Sequence, residues 1–309
     1  MNTTLNDLRY AVRKMLRSPG FTAVALLSLA IGIGTNAAVF ALVEGFLFND
    51  LPYQDAEEMV EVYLTPEVFP YSPLSYPDYL DIREATTDIF QKTAVAGFTF
   101  GQVDQGDRVG SLLGELVSGS YFPLLGMPAA VGRTLLPEDD LTPGAHFVAM
   151  LGFGYWQESY GGDPEVVGQS IRLNGHTYTI VGVAPENYPG SVPGVPVDFM
   201  VPINMVQEMQ QGTGNPLVSR NNQSYFAKGR LRPGVTVEGA QVVLAGLAAT
   251  LRETYPEVWD ETRSFLAMPS EDVVMNPAFD KVLVLSSTLA LVLVAVVLLI
   301  ACANLASFL

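Results

Sequence analysis

Cysteine is almost missing from this 309-residue chain: the only one, Cys302, lies in an apolar run near the end. No intrachain disulfide can form, so the large charged segment must be held by its own core, for which it is long enough. Histidine is nearly as scarce. His146 and His176 have no HxxxH spacing and no cysteine beside them, which removes the usual zinc arrangements. His176, in a turn, reads as an exposed lone histidine. No G-x-x-x-x-G-K-[ST] phosphate cradle and no G-x-S-x-G nucleophile elbow occurs. The acidic run Glu138-Asp139-Asp140 lacks calcium-loop spacing and reads as a solvated turn and helix cap. No cofactor, no metal site and no catalytic residue is expected. Basic residues are also few, 16 Lys and Arg against 32 Asp and Glu, and an acidic chain is a poor partner for nucleic acid.

What is there is an uneven layout of charge. Residues 1–17 carry Arg9, Arg13, Lys14 and Arg17 against Asp7 alone, and 21–43 carry none. Residues 49–280 hold 11 basic and 30 acidic groups, and 282–309 again hold none. A helix needs about 20 apolar residues to cross hydrocarbon. The uncharged runs of 23 and 28 residues are therefore expected to span a membrane, over 21–48 and 281–309. Small and polar residues in the first run, Gly32, Gly34 and Asn36, suit close helix packing. "GIGTNA" (32–37) also fits G-x-G-x-x-G/A, but it sits inside the apolar run rather than between a strand and a helix, so the dinucleotide reading is rejected. A cleaved leader is the alternative to a retained span. Its apolar core is about 7–15 residues behind a short basic lead, whereas here both are longer. Residues 1–20 alternate apolar and basic positions at helical spacing, so Arg9, Arg13, Lys14 and Arg17 are expected to rest on an anionic inner membrane surface; a short solvated helix is the plainer reading. Positive charge stays inside, which puts 1–20 in the cytoplasm and 49–280 outside.

The body reads as mixed. "MVEVYLT" (59–65) alternates like a strand. Pro77 opens a helix in "SYPDYLDIREATTDIF", with Tyr79, Leu80, Ile82 and Ile89 as its apolar side. "TAVAGFTFGQVD" and "VGSLLGELVSG" are strands about a turn at Gly106-Asp107. "GFGYWQESYGG" is a short helix stopped by glycine, with Tyr155, Trp156 and Tyr160 packing the core. Asn174-Gly175 is the favoured two-residue hairpin turn, between "QSIRL" and "HTYTIVGV". A strand in "YFAKGRLRPG" precedes a helix whose apolar positions are Val242, Leu244, Leu247 and Leu251. Strand–helix–strand pieces at both ends flank a β-rich middle, an α+β domain with an inserted subdomain.

"DLRYAVRKMLRSPGFTAVALLSLAIGIGTNAAVF" (7–40) resembles the opening of MacB/FtsX-type ABC transporter permeases, above all the duplicated orphan permeases of acidobacteria. "SYPDYLDIRE", "LVSGSYFPLLGMPAAVGRTLLPEDD", "TPGAHFVAMLGFGYWQESYGGDPEVVGQSIRLNGHTYTIVGVAPE" and "RLRPGVTVEGAQ" resemble the periplasmic core domain of that family. The resemblance implies a membrane protein whose transmembrane helices flank a large α+β periplasmic domain. It places that domain at 49–280, a discontinuous porter-like part with a β-rich insert at about 120–222. It implies a non-enzymatic permease subunit of the inner membrane, in efflux or mechanotransmission. ATP would be hydrolysed by a separate cytoplasmic ABC ATPase. A homodimer or second permease copy, the lipid bilayer and a periplasmic adaptor are the other partners implied, with no nucleic acid. The family pattern continues with further spans, so a fragment or truncated reading frame is expected. A membrane-tethered periplasmic binding or sensing module without transport is the alternative.

Overall fold

A computed structural model of the chain describes residues 51–66, 70–104, 109–210, 212 and 214–308, with positions 19, 20, 23, 27, 30, 31, 33, 34, 37 and 40. Two compact units separate, Asp50–Ala278 and the remainder. The ten isolated positions of the first 40 residues are helical and exposed.

Asp50–Ala278 is built on one mixed sheet. Two strand–helix–strand pieces form one end of it. The first is β1 (Met59–Leu64), α1 (Tyr76–Ala85) and β2 (Phe90–Asp104); the second, β9 (Phe226–Leu231), α5 (Val237–Thr254) and β10 (Phe265–Pro269). Their strands interleave as β10-β1-β9-β2, all antiparallel, as in a split β-α-β fold. Ser75 starts α1 by accepting a hydrogen bond from the Asp78 N–H, with Pro77 in the first turn. Thr236 starts α5 in the same way through Gly239. The helix buries Ala240, Leu244, Ala248 and Leu251, one stripe at four- and three-residue steps. Val242, expected on that stripe, is 73% exposed, because two residues on from Ala240 is about 200° around the helix. Ile89, expected on α1, lies beyond its end at Ala85.

Between β2 and β9 the chain adds β3 (Val109–Val117), α2 (Tyr121–Leu125), β4 (Val131–Gly132), β5 (Val148–Leu151), α3 (Phe153–Tyr160), β6 (Ser170–Leu173), β7 (His176–Val183), β8 (Phe199–Pro202) and α4 (Val206–Met209). β3 pairs with β2 from Ala96↔Val117 to Asp104↔Val109. The order continues β3-β8-β5-β7-β4, with β3/β8 and β5/β7 parallel. β6 pairs with β7 and meets β2 at Val103↔Leu173, so β2, β3, β8, β5, β7 and β6 close a ring. The Phe199 ring lies over two glycine backbones of this ring: a Cβ at Gly114 would come within 2.3 Å of it, and one at Gly101 within 2.8 Å. Only glycine leaves that ring its place.

Both faces of the sheet are covered. Val60, Val62, Leu64, Phe90 and Ala227 pack with Tyr79 and Ile82 of α1 and with Leu244 and Leu251 of α5. Met59, Ala94, Ala96 and Val117 belong to a second core with Tyr121, Phe122, Leu124 and Leu125. β1 is therefore buried at all six positions, and the solvent side suggested by its alternation does not exist.

The last helix, α6, runs from Pro277 to Phe308. Counting only those of its residues whose side chains are described, no single helix is long and apolar enough to cross a membrane; a bent pair over 270–280 and 284–297 reaches that length and composition.

The outer edge of β10 is covered by a side chain. Gln241 of α5 donates its amide to the Phe265 carbonyl at 2.8 Å and accepts from the Ala267 N–H at 3.0 Å. Edge strands with free N–H and C=O groups recruit other strands. Gln241→Ala is expected to cost about 1–2 kcal/mol and to add concentration-dependent self-association, read by thermal denaturation and sedimentation velocity. An unchanged sedimentation profile together with an unchanged melting point would contradict this role.

Candidate functional site

The segments that lead into and out of the sheet meet on its second face. The turn Ala56–Glu58 touches the turn Ser270–Asp272, and both lie against β1 or its start. Alternation along three strands sends charged side chains to that face, where no bulk water receives them. Glu61 of β1 stands opposite Lys228 of β9 in the strand register and forms an ion pair with it, both buried. Ser270 donates its hydroxyl to the same Glu61 oxygen at 3.3 Å. Burial pushes the Lys228 ammonium toward losing its proton, but Glu61, Tyr53 and Glu115 more than offset this, and its pKa lies above the ordinary lysine value. Its nitrogen also stands 5.7 Å from the centre of the Tyr53 ring.

Arg230, two residues on in β9, acts as a clasp. Its guanidinium donates to the carbonyls of Gln54 at 2.5 Å, Asp55 at 3.1 Å and Leu124 at 2.8 Å. The carboxylates of Asp55 and Glu58 are each 3.7 Å away. One side chain thus ties the incoming segment and the end of α2 to β9. On β3, fully buried Glu115 accepts from the Tyr188 hydroxyl at 2.6 Å and the Ser191 N–H at 2.7 Å, holding the loop between β7 and β8 across the face. Burial raises the Glu115 pKa, against the pull of Ser191, Tyr188 and Lys228.

A second network fastens the return from the ring. Arg220 pairs with Asp78 at 2.6 Å and Asp81 at 2.7 Å, the latter without hydrogen-bond alignment, and its guanidinium lies 4.0 Å from the Tyr255 ring centre. The Trp259 indole donates to Asp78 at 3.3 Å. In a third place, Asp140 accepts from the Gly119 and Asn204 N–H groups, both at 3.1 Å, and burial raises its pKa to about 6.

The acidic run is not a solvated turn throughout. Glu138 is exposed, but Asp139 is 6% exposed and bound by both arms of Arg133 at 2.5 and 2.9 Å and by the Leu136 N–H. Burial opposes its charge, yet Arg133 and Leu136 hold its pKa below the usual value. His176 is half-buried rather than exposed, stacked on Phe147 at 5.6 Å. Among the described residues no group of three or more His, Cys, Asp or Glu is placed to hold a metal ion.

Asn174 and Gly175 form the β6–β7 turn with φ of 51° and 86°. Asn174 does more than turn: its side chain accepts from the Gln102 N–H at 2.7 Å and donates to the Phe100 and Met209 carbonyls at 3.1 and 2.9 Å, pinning the hairpin to β2 and to α4. Gly34 is helical with no described atom within 4 Å of the place a Cβ would take. Arg9, Arg13, Lys14, Arg17, Gly32 and Asn36 lie outside the described residues. Sequence reasoning missed Glu61, Lys228, Arg230 and Glu115. The only available signal was polar residues at alternate strand positions, which ordinarily marks a wet face.

Removing one partner of a buried ion pair leaves an uncompensated charge. Lys228→Met is expected to destabilise the protein by about 3–5 kcal/mol, and the double change with Glu61→Leu to recover most of that, as chemical denaturation can measure. Equal losses in single and double variants would count against the pair. Asp140 titrates higher in the folded protein than in the unfolded chain, so its contribution to stability is greatest at low pH and falls as pH rises from about 4 to about 6. Asp140→Asn is expected to flatten the stability–pH curve in that window relative to the parent; parallel curves would refute the assignment.

Three solved structures are similar to this chain. A domain assigned to a permease protein from Porphyromonas gingivalis is 17% identical, with a TM-score of 0.50 over 72% of this chain and 92% of that one. The periplasmic region of MacB from Actinobacillus actinomycetemcomitans is 13% identical, with a TM-score of 0.48 over 76% and 95% of the two chains. The extracellular domain of the noncanonical ABC-type transporter YknZ from Gram-positive bacteria is also 13% identical, with a TM-score of 0.47 over 68% and 99%. No curated protein sequence matches significantly. The family model of the MacB-like periplasmic core domain matches residues 22–246, well over half of the sequence. The chain belongs to that family, the one carried by MacB/FtsX-type ABC transporter permeases.

Proposed function

We propose that the chain is a permease component of an ABC transporter, anchored in the inner membrane, whose outer body is moved by a separate cytoplasmic ATPase. The carrying observation is the junction on the second face of the sheet. The segment that enters the body is fastened by Arg230 through Gln54 and Asp55, and the one that leaves it is fastened at Ser270 to Glu61, the partner of Lys228. A relative displacement of the two segments is then delivered straight to β1 and β9, at the centre of one end of the sheet. Fastening of this kind suits transmission of movement better than it suits binding, because the charged groups are buried and face one another. The uncharged runs at 21–43 and 282–309 supply the membrane anchors in this reading, and the basic residues of 1–17 keep the first end inside. These 309 residues carry no G-x-x-x-x-G-K-[ST] motif, which accords with ATP hydrolysis by a separate subunit in this reading. A homodimer or a second permease copy, with a periplasmic adaptor, completes the assembly in this reading.

The test combines topology with partnership. Single cysteines at Asn2 and Thr142, in a Cys302→Ser background, are labelled in intact cells with a membrane-impermeant maleimide, and the same cells are crosslinked and the protein captured. Position 142 is expected to label, position 2 to label only after permeabilisation, and an ABC ATPase to be captured. Labelling of position 142 without an ATPase would favour a tethered binding module instead.

A further inference from the structure

Where the incoming segment, the outgoing segment, β9 and the β7–β8 loop converge, the side chains leave a cavity of about 10 Å³. It is walled by Tyr53, Glu61, Ser191, Val192, Lys228 and Ser270, among others. Tyr53 is only 6% exposed, and its hydroxyl has no hydrogen-bond partner among the described residues. The hydroxyl of Ser191, itself 4% exposed, stands beside the Glu115 carboxylate without reaching hydrogen-bond geometry. The Lys228 ammonium has three hydrogens to place, and its hydrogen-bond partner is Glu61. The residues that carry these three groups all line one small space, and leaving such groups unsatisfied is costly.

The size and charge of the space decide what fits. A single water needs about 10–15 Å³ on the same measure. The Lys228 ammonium in the wall disfavours a cation, and the Glu61 carboxylate in the wall disfavours an anion. We propose that this cavity is a hydration site: one tightly held water accepts from the Lys228 ammonium and bonds the Tyr53 hydroxyl, with Ser191 as a further partner. The site links the strand that carries Lys228 to the incoming segment through a molecule that can re-form its bonds as the two shift. The inference rests on the cavity and its walls, and does not depend on the proposed transport role.

Tyr53→Phe separates the possibilities by the sign of its effect. If the hydroxyl is bonded to a held water, its removal strips the water of a partner and lowers the melting temperature of the full chain. If the hydroxyl is an orphan in a dry cavity, its removal relieves an unsatisfied group at nearly unchanged volume and raises the melting temperature. A lower melting temperature is the expected result; an equal or higher one overturns the proposal. A structure of the full chain at a resolution that shows ordered solvent gives the second reading. Density within hydrogen-bond distance of both Tyr53 Oη and Lys228 Nζ is expected. A dry cavity, or a Tyr53 hydroxyl bonded to a protein atom, overturns the assignment whether or not an ATPase partner is ever captured.

Discussion

A sheet covered on both faces has nowhere wet to put its charged positions. That constraint shapes the body of this protein. Alternation along β1 and β9 turns Glu61 and Lys228 toward the second core, where an ammonium without a counter-charge would lose its proton or unfold the region. The two are directly opposite in the register, so a slip of one strand by one residue would part them and leave them on opposite faces of the sheet. The pair therefore specifies alignment as well as contributing energy. Arg230 and Glu115 extend the same logic, one gathering backbone carbonyls and the other gathering a phenol and an amide.

Much of the fold was legible in the sequence because its signals are local. Pro77 in its capped helix, the glycine pair after Tyr160 and Asn174-Gly175 each act through bonds within a few residues, and each stands at the element boundary it marked. What was not legible depends on strands distant in sequence. β1 looked half-exposed because its six residues alternate; burial on both faces follows from α1 and α5 on one side and from α2, more than fifty residues on, against the other. Asn174 was readable as a turn residue, but not as a clasp reaching Phe100 and Met209. Asp139 resembled its exposed neighbour Glu138, and only the fold of the intervening residues brings Arg133 to it.

The polar junction was the least legible part for the same reason. Glu61, Lys228 and Ser270 are separated by 167 and then tens of residues, and no spacing rule connects them. Buried ion pairs add little net stability compared with apolar packing, yet they fix a unique arrangement in several systems. In a body that receives its neighbours through two adjacent segments, fixed alignment at that place has an evident use.

One feature of the topology bears on how such a body can move. β2 is shared: its first half is a strand of the four-stranded end, and its second half is a wall of the ring, with β3 bound along nine consecutive pairs. There is no hinge of free chain between the two parts on that side. Any displacement of β1 and β9 would therefore reach the ring through a continuous hydrogen-bonded ladder and not through a flexible linker.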